Sequence, residues 1–317
     1  MVSKIGNLGL AKRALISALG DVDIRLLRIF VTVTECGGFA ASELELNIGR
    51  STISKHIADL ELRIGLKLCN RGPSGFSLTS EGEQVLLATR HLLSKIDDFQ
   101  SEIDDIHANL AGTLRVGIFD QSSTNPRAHI HEAIRHFDDA APDVSLEIVL
   151  DTPSALESRV TDGALELAIV PVYRQSSSLR YQVLYDEYMT LYCGEKHELY
   201  DTPVTGSLKD LDLTQYKYAG YSFNSPNMMA GRNLGFVRAA RAKEEEALAL
   251  LIQSGRYIGY LADHVAETFF DKGKVRKICP DETSYMTRFG AITRRKPEPD
   301  RKTQRFLECL TAAHQKS

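Results

Sequence analysis

No stretch of this sequence approaches the roughly 18–20 consecutive apolar residues that cross a bilayer, so no spanning helix is expected and no membrane partner. Cysteine is scarce and poorly placed for chemistry. Cys36, Cys69, Cys193, Cys279 and Cys309 are odd in number, far apart and never spaced C-x-x-C, which argues against a disulfide framework and a zinc site. The chain also lacks a G-x-S-x-G elbow, a G-x-G-x-x-G after a strand and a P-loop. The nearest approach to a catalytic cluster is His129, His131, Glu132 and His136. His131 and His136 are five residues apart, about 140° around a helix, whereas a zinc-binding helix pair needs a spacing of four. A surface histidine pair is the expected role, with no metal, no cofactor and no enzyme activity.

An excess of positive charge is missing too. The net charge of −4 taken alone argues against nucleic acid. Its distribution argues otherwise. Between residues 47 and 79 stand five cations (Arg50, Lys55, Arg63, Lys67, Arg71) against two acids (Asp59, Glu61), while residues 91–317 hold 27 basic and 33 acidic residues. A basic segment on an acidic body fits one end that faces nucleic acid. Residues 1–20 carry Lys4, Lys12 and Arg13 and no acid, and Lys12-Arg13 interrupts the only apolar stretch there. That pattern predicts a basic N-terminal extension, no secretory leader and a cytoplasmic location. A chain of 317 residues suits a small domain followed by a larger one.

What is present is periodic. Residues 23–36 read as a helix capped by Asp23, with Leu27, Phe30, Val31 and Thr34 on one face and Gly37-Gly38 at its end. Residues 40–46 form a short helix and Asn47-Ile48-Gly49 a tight turn. Residues 51–64 form a third helix with Ile53, Ile57, Leu60 and Ile64 inward. Three short helices with a three-residue turn between the second and third have helix-turn-helix geometry. Leu66 and Leu68, then Phe76 and Leu78, alternate about Arg71-Gly72-Pro73-Ser74-Gly75, which predicts a hairpin wing. Ser80-x-x-Glu83 is a capping box for a long helix. Along it Leu92, Ile96, Phe99, Ile103, Ile106 and Leu110 step by four and three, a heptad seam that a second copy would bury. Packing on its own C-terminal domain is the alternative.

From 113 onward strands alternate with helices. Strands are expected at 114–119, 144–150, 165–170, near 180–184, 188–194, 257–261, 274–278 and 286–293. Helices are expected from Pro126 to about 138, then at 154–162, 243–254, 262–270 and 301–313. This predicts an α/β fold with a largely parallel sheet, long enough for two lobes.

The stretch from Phe30 to Glu83 resembles the LysR-type transcriptional regulators. The matching residues are Gly37-Gly38-Phe39-Ala40-Ala41, Thr52-Ile53-Ser54-Lys55-His56-Ile57, Leu60-Glu61, Gly65-Leu66, Leu68, Arg71-Gly72 and Leu78-Thr79-Ser80-Glu81-Gly82. Further on, residues 111–117 and 255–261 match more weakly. The resemblance implies a winged helix-turn-helix at 21–80, a dimerisation helix at 81–111 and a periplasmic-binding-protein-like effector domain at 112–317. Lobe I would take about 112–187 and 286–317, and lobe II about 188–285. Dimers that pair into tetramers, and contact with RNA polymerase, are implied as well. One departure bears on function. The recognition helix of such proteins usually opens with a Ser-Gln-Pro-like triplet, and here it opens Gly49-Arg50-Ser51. Cys69 replaces a bulky apolar residue and should simply pack.

These patterns name candidate residues. Arg50, Ser51, Thr52, Ser54 and Lys55 open the helix that would enter the major groove of double-stranded DNA. Arg50 suits guanine O6/N7 and Lys55 suits phosphate. Arg71 on the wing and Thr79 at the linker start are further DNA contacts, and Glu43, Glu45 and Asp59 should face away. In the sensor domain Ser122, Ser123 and Thr124 leave the carboxyl end of a strand and run towards a helix N-terminus at Pro126, a place that favours anions. Asp151 and Thr152, Pro171 and Tyr173, and Tyr221 and Phe223 complete a candidate lining for an organic acid or aromatic effector. Three readings compete with effector-controlled regulation: a regulator without an effector, a solute receptor built on the same lobes, and an enzyme on an α/β scaffold.

Overall fold

The computed structural model of the chain describes residues 19–72, 75–106, 110–119, 121–201, 212–270 and 274–315. Residues 1–18 of the expected extension lie outside them, as do Pro73 and Ser74 of the expected turn, and Asp120. Two compact units emerge, one ending at Asp97 and one beginning at Asp98, so the division falls inside the linker helix.

In the first unit, α1 (Asp21–Glu35), α2 (Glu43–Leu46) and α3 (Arg50–Ile64) are followed by β1 (Cys69–Gly72), β2 (Gly75–Leu78) and α4 (Ser80–Ile106). Ile53, Ile57 and Leu60 fall on one side of α3 and are fully buried against Leu26, Phe30 and Val33 of α1 and Leu68. Burial of each such side chain stabilises by about 1.5–3 kcal/mol. The stripe on α1 differs from the expected one. Leu26, Leu27, Ile29, Phe30 and Val33 are buried, whereas Val31 and Thr34 are half-buried. Asn47 adopts the left-handed conformation, φ 50°, and turns the chain from α2 into α3. Cys69 packs in the core as expected, but the strand starts there, and Leu66 is 41% exposed.

Gly20 caps α1, so Asp23 is its third residue rather than its cap. The buried Asp23 carboxylate accepts from Gly20 N–H at 3.0 Å and from Arg63 Nη2 at 3.0 Å, tying α1 to α3. The Arg63 hydrogen bond, then the Gly20 N–H, hold this carboxyl below the usual carboxylate range. Its stabilising contribution is complete above the unfolded-state value near 3.9 and fades as pH falls through the lower folded-state value. Asp23→Asn should therefore lower the melting temperature by similar amounts at about pH 6 and about pH 8, and by least near about pH 3. Calorimetry across that range checks this, and a penalty that changes between pH 6 and pH 8 contradicts it.

The linker helix α4 has 27 residues, about 40 Å at 1.5 Å per residue. Its cap is Thr79, whose Oγ1 accepts from Gly82 N–H at 2.9 Å; the expected box of Ser80 with Glu83 is displaced by one residue. The seam divides. Leu92 packs on the core of the first unit, and Leu110, beyond the helix end, packs on that of the second. Ile96 is half-buried, Phe99 is 62% exposed and Ile103 40% exposed; the side chain of Ile106 is outside the described set.

The second unit is one nine-stranded sheet with two parallel ends. At one end β3 (Gly112–Ile118) pairs in parallel with β4 (Val144–Leu150) and β5 (Leu167–Pro171). At the other, β7 (Tyr218–Tyr221) pairs in parallel with β8 (Arg238–Ala242) and β9 (Ile258–Ala262). Two long strands join the ends, β6 (Leu179–Gly194) and β11 (Tyr285–Arg294), with β10 (Val275–Lys277) beside β6. The order is β4-β3-β5-β11-β6-β9-β7-β8. Antiparallel pairings thus form the centre, against the expectation of a largely parallel sheet. The strands expected near 180–184 and 188–194 are a single strand, because Tyr185, Asp186 and Glu187 continue the ladder opposite Phe289, Arg288 and Thr287. The expected lobe boundaries fall within β6 and at the first residues of β11, near Met189, where β6 meets both β11 and β9. The flanking helices are α5 (Ile130–Ala140), α6 (Pro153–Thr161), α7 (Pro226–Asn233), α8 (Glu245–Gln253), α9 (Asp263–Phe270), α10 (Pro280–Thr283) and α11 (Arg301–Gln315).

Candidate DNA interface and effector cleft

The start of α3 presents a polar edge. Arg50, Ser51, Thr52 and Lys55 are exposed and Ser54 is half-buried, while Ile53 and Ile57 on the other side anchor the helix. The guanidinium of Arg50, the hydroxyl of Ser51 and the ammonium of Lys55 meet no partner among the described residues. The helix is held at both ends by acids. At its C-terminal end Glu61 Oε1 accepts from the N–H groups of Leu68 (2.8 Å) and Cys69 (3.1 Å), which fixes the root of the wing. At its start the backbone N–H of Arg50 donates to Glu43 Oε1 on α2. Glu43 therefore does not face away as expected. It holds the first N–H of α3, a role invisible in its spacing because Glu43 and Arg50 lie on different helices.

Arg71 lies on β1 opposite Phe76, and its side chain is outside the described set. Thr79 has a structural role. Its hydroxyl donates to Lys67 O at 2.6 Å and accepts from Gly82 N–H, so it joins the wing to the linker helix.

In the second unit the loop after β3 also differs from expectation. Gln121 is left-handed (φ 58°), Ser122–Thr124 form a 3-10 turn, and Asn125 is extended. A residue before proline is pushed to extended backbone, and Asn125 Oδ1 accepts from Arg127 N–H at 2.9 Å in a turn of its own. The helix therefore starts at Ile130 and not at Pro126; Ser122–Thr124 pack beside it but do not run directly into it. Ser122 is buried, with its hydroxyl donating to Phe119 O (3.0 Å) and lying 3.2 Å from the Tyr185 hydroxyl. It is a packed residue. Pro171 likewise is buried at the end of β5, opposite Phe289. Ser123 is exposed, and Thr152 stands before α6 without a side-chain cap bond.

The other candidates converge where the two ends of the sheet face each other. Thr124 Oγ1 is 2.8 Å from Nδ1 of His264 at the start of α9, and His264 Nε2 is 2.9 Å from Glu187 Oε2 on β6. Asn125 Nδ2 donates to the same carboxylate oxygen at 3.4 Å. Tyr173 donates its hydroxyl to Asn224 O at 2.7 Å, and Lys243 Nζ lies 3.6 Å from Asp151 Oδ1. Phe119 meets Tyr221 and Phe223 edge-on, at 6.3 and 6.1 Å between centroids, and these two stack at 4.9 Å. Burial raises the Tyr173 and Tyr185 hydroxyls above their ordinary range, so both stay protonated donors at neutral pH. The junction thus combines hydroxyls, a His–Glu pair and an aromatic wall, groups of the kind found in small-molecule sites. Sequence reasoning missed Glu187, His264, Asn125 and Phe119. The one available signal was an acid, Glu187, between two apolar strand segments.

Among the described residues, depressions of about 320 Å³ near Arg180, Thr293 and Glu298 and of about 450 Å³ near Val183, Thr311 and His314 lie elsewhere. Neither includes a candidate effector residue.

Comparison with known proteins agrees with this division of labour. Residues 24–83 match the family described as "Bacterial regulatory helix-turn-helix protein, lysR family", and residues 107–315 match "LysR substrate binding domain". The chain is 36% identical over 295 residues to the HTH-type transcriptional activator BauR of Pseudomonas aeruginosa, covering 93% of this chain and 96% of that one. It is 29% identical to the SDS degradation transcriptional activation protein of a Pseudomonas species, over 76% and 73% of the two chains. Among solved structures, full-length CbnR complexed with its target DNA shares the fold at a TM-score of 0.62 and 16% identity, covering 92% of this chain and 99% of that one. The Vibrio cholerae virulence activator AphB does so at 0.56 and 18%, with the same coverage. Matched in both of its parts, the chain belongs to the LysR family of transcription regulators, which pair a DNA-binding helix-turn-helix with an effector-binding domain.

Proposed function

We propose that this regulator reads double-stranded DNA with Arg50, Ser51, Thr52, Ser54 and Lys55 in the major groove, aided by Arg71 on the wing. The observation that carries this reading is the exposed start of α3, where the guanidinium of Arg50 and the ammonium of Lys55 meet no partner among the described residues. Arg50 reads guanine, and Lys55 holds phosphate. A second copy of the chain covers Phe99 and Ile103, whose exposure on a long helix supports dimers and, in turn, tetramers. The activator names of its relatives support activation at promoters through RNA polymerase, in the cytoplasm and without turnover of a substrate.

Control comes from a small molecule held between the lobes by Thr124, Asp151, Tyr173 and Phe223, with Ser123 and Thr152 at its rim. The contacts that bridge the two ends of the sheet at four of these positions support this reading. Effector binding shifts the population between bridged and open junctions. An aromatic or carboxylate-bearing metabolite suits the ring wall and the hydroxyls. The test is a thermal-shift screen of the full chain against organic acids and aromatic metabolites. A true effector at about 100 times its Kd should add about 2.7 kcal/mol of stability and change affinity for DNA. A panel with no response would sink this half of the proposal.

A further inference from the structure

The recognition helix is capped from outside itself. Its N-cap residue, Gly49, carries no side chain, and no side-chain cap bond is made there. Serine, threonine, aspartate or asparagine at such a position would supply an oxygen to the first N–H groups. Such an oxygen would reach the N–H of Ser51 or Thr52; here an oxygen of Glu43, on the neighbouring helix, accepts instead from the first N–H, that of Arg50. Glu43 is exposed, so its charge reaches solvent beside the residue that leads α3.

This has a consequence for recognition. An uncapped helix N-terminus attracts phosphate, through free N–H groups and the helix dipole. Phosphate contacts are alike on every sequence and carry no information. A carboxylate at that point takes the first N–H, offsets the dipole and repels phosphate. It also leaves the guanidinium of the same residue, Arg50, free for a base edge. Specificity often depends on such a repulsive element as much as on an attractive one. We propose that Glu43 is a positioning and specificity-determining residue: it holds the first N–H of a helix whose own cap residue has no side chain, and it lowers sequence-independent affinity, so that discrimination rests on Arg50. The inference rests on Arg50 as the base reader.

The test uses the full chain and fluorescence anisotropy in a salt series. Three duplexes are compared: one selected by the natural chain, the same with its guanines replaced, and an unrelated one. Glu43→Gln keeps an acceptor and removes the charge. Glu43→Ala with Gly49→Ser removes the charge and restores a cap hydroxyl. Glu45→Gln removes the neighbouring charge on α2 without touching the cap. Both Glu43 variants should bind unrelated DNA more tightly and lose about tenfold in the ratio of selected to unrelated affinity, with a slope against salt steeper by about one phosphate. Glu45→Gln should change the ratio far less. Unchanged ratios in both Glu43 variants would make Glu43 a cap alone and overturn the proposal, as would an equal effect from Glu45→Gln. Arg50→Ala separates the two readings. Retained guanine preference in that variant overturns Arg50 as reader, whereas the effect of Glu43 on unrelated DNA is measured independently of it.

Discussion

Gly82→Ala should destabilise the DNA-binding unit by about 3 kcal/mol, the upper end of the cost of one extra methyl group in a packed site. A Cβ at Gly82 would lie 2.1 Å from the carbonyl oxygen of Leu68 and 3.0 Å from its carbonyl carbon. The obstacle is backbone, so no rotamer change relieves it. Leu68 cannot retreat freely, because its N–H is held by Glu61 and its carbonyl accepts from Thr79 N–H at 2.9 Å. One of those bonds must break, and either break displaces the wing root from the recognition helix. In a domain of this size about 3 kcal/mol is a fall of roughly 12–24 °C in melting temperature. Affinity for the selected DNA should fall at least about tenfold, since misplacing the wing misplaces its backbone contacts. Thermal unfolding and anisotropy on the same sample check both. A variant that melts and binds like the natural chain would show that the linker helix does not sit on Leu68.

Phe119→Ala should have the second large effect, confined to the other unit. Phe119 is 7% exposed and leaves β3 to meet Tyr221 and Phe223 from the far end of the sheet and Phe289 from β11, at 6.3 Å and stacked. Removing a buried phenyl ring costs about 3–5 kcal/mol. Two of these three ring contacts lie across the junction, so the variant should also lose its response to an effector while Arg50-dependent DNA binding persists at low temperature. Phe119→Leu keeps apolar volume and should cost less than about 1.5 kcal/mol. If the alanine variant kept the effector response, the aromatic contact would not couple the two ends.

Much of this molecule was legible in its sequence, unevenly. The helix-turn-helix was readable because Ile53, Ile57 and Leu60 recur at helical spacing and Gly65 and the Gly-Pro-Ser-Gly turn punctuate it. The heptad was readable as a pattern but not as a single surface, since Leu92 and Leu110 serve separate cores and leave Phe99 and Ile103 exposed. Local signals misled where tertiary partners overrode them. Pro126 looked like a helix start, yet Asn125 uses it in a turn. Glu43 looked like an acid to be hidden from DNA, yet it meets a backbone N–H seven residues on. In the effector domain, loops at strand ends were identifiable. The groups that join them were not, because Thr124 and His264 are 140 residues apart and Glu187 and His264 are 77 apart. No periodicity records such meetings.

The central claim is that this chain recognises a particular DNA sequence through the first turn of α3. Selection from a random duplex pool with the full-length chain tests it most directly. The expected result is an enriched, two-fold symmetric sequence whose half-sites share a guanine. With Arg50→Ala that guanine should lose its enrichment, at a cost of about 1–3 kcal/mol in affinity, while flanking preferences remain. A pool that enriches no sequence, or one that enriches the same guanine without Arg50, would contradict the account.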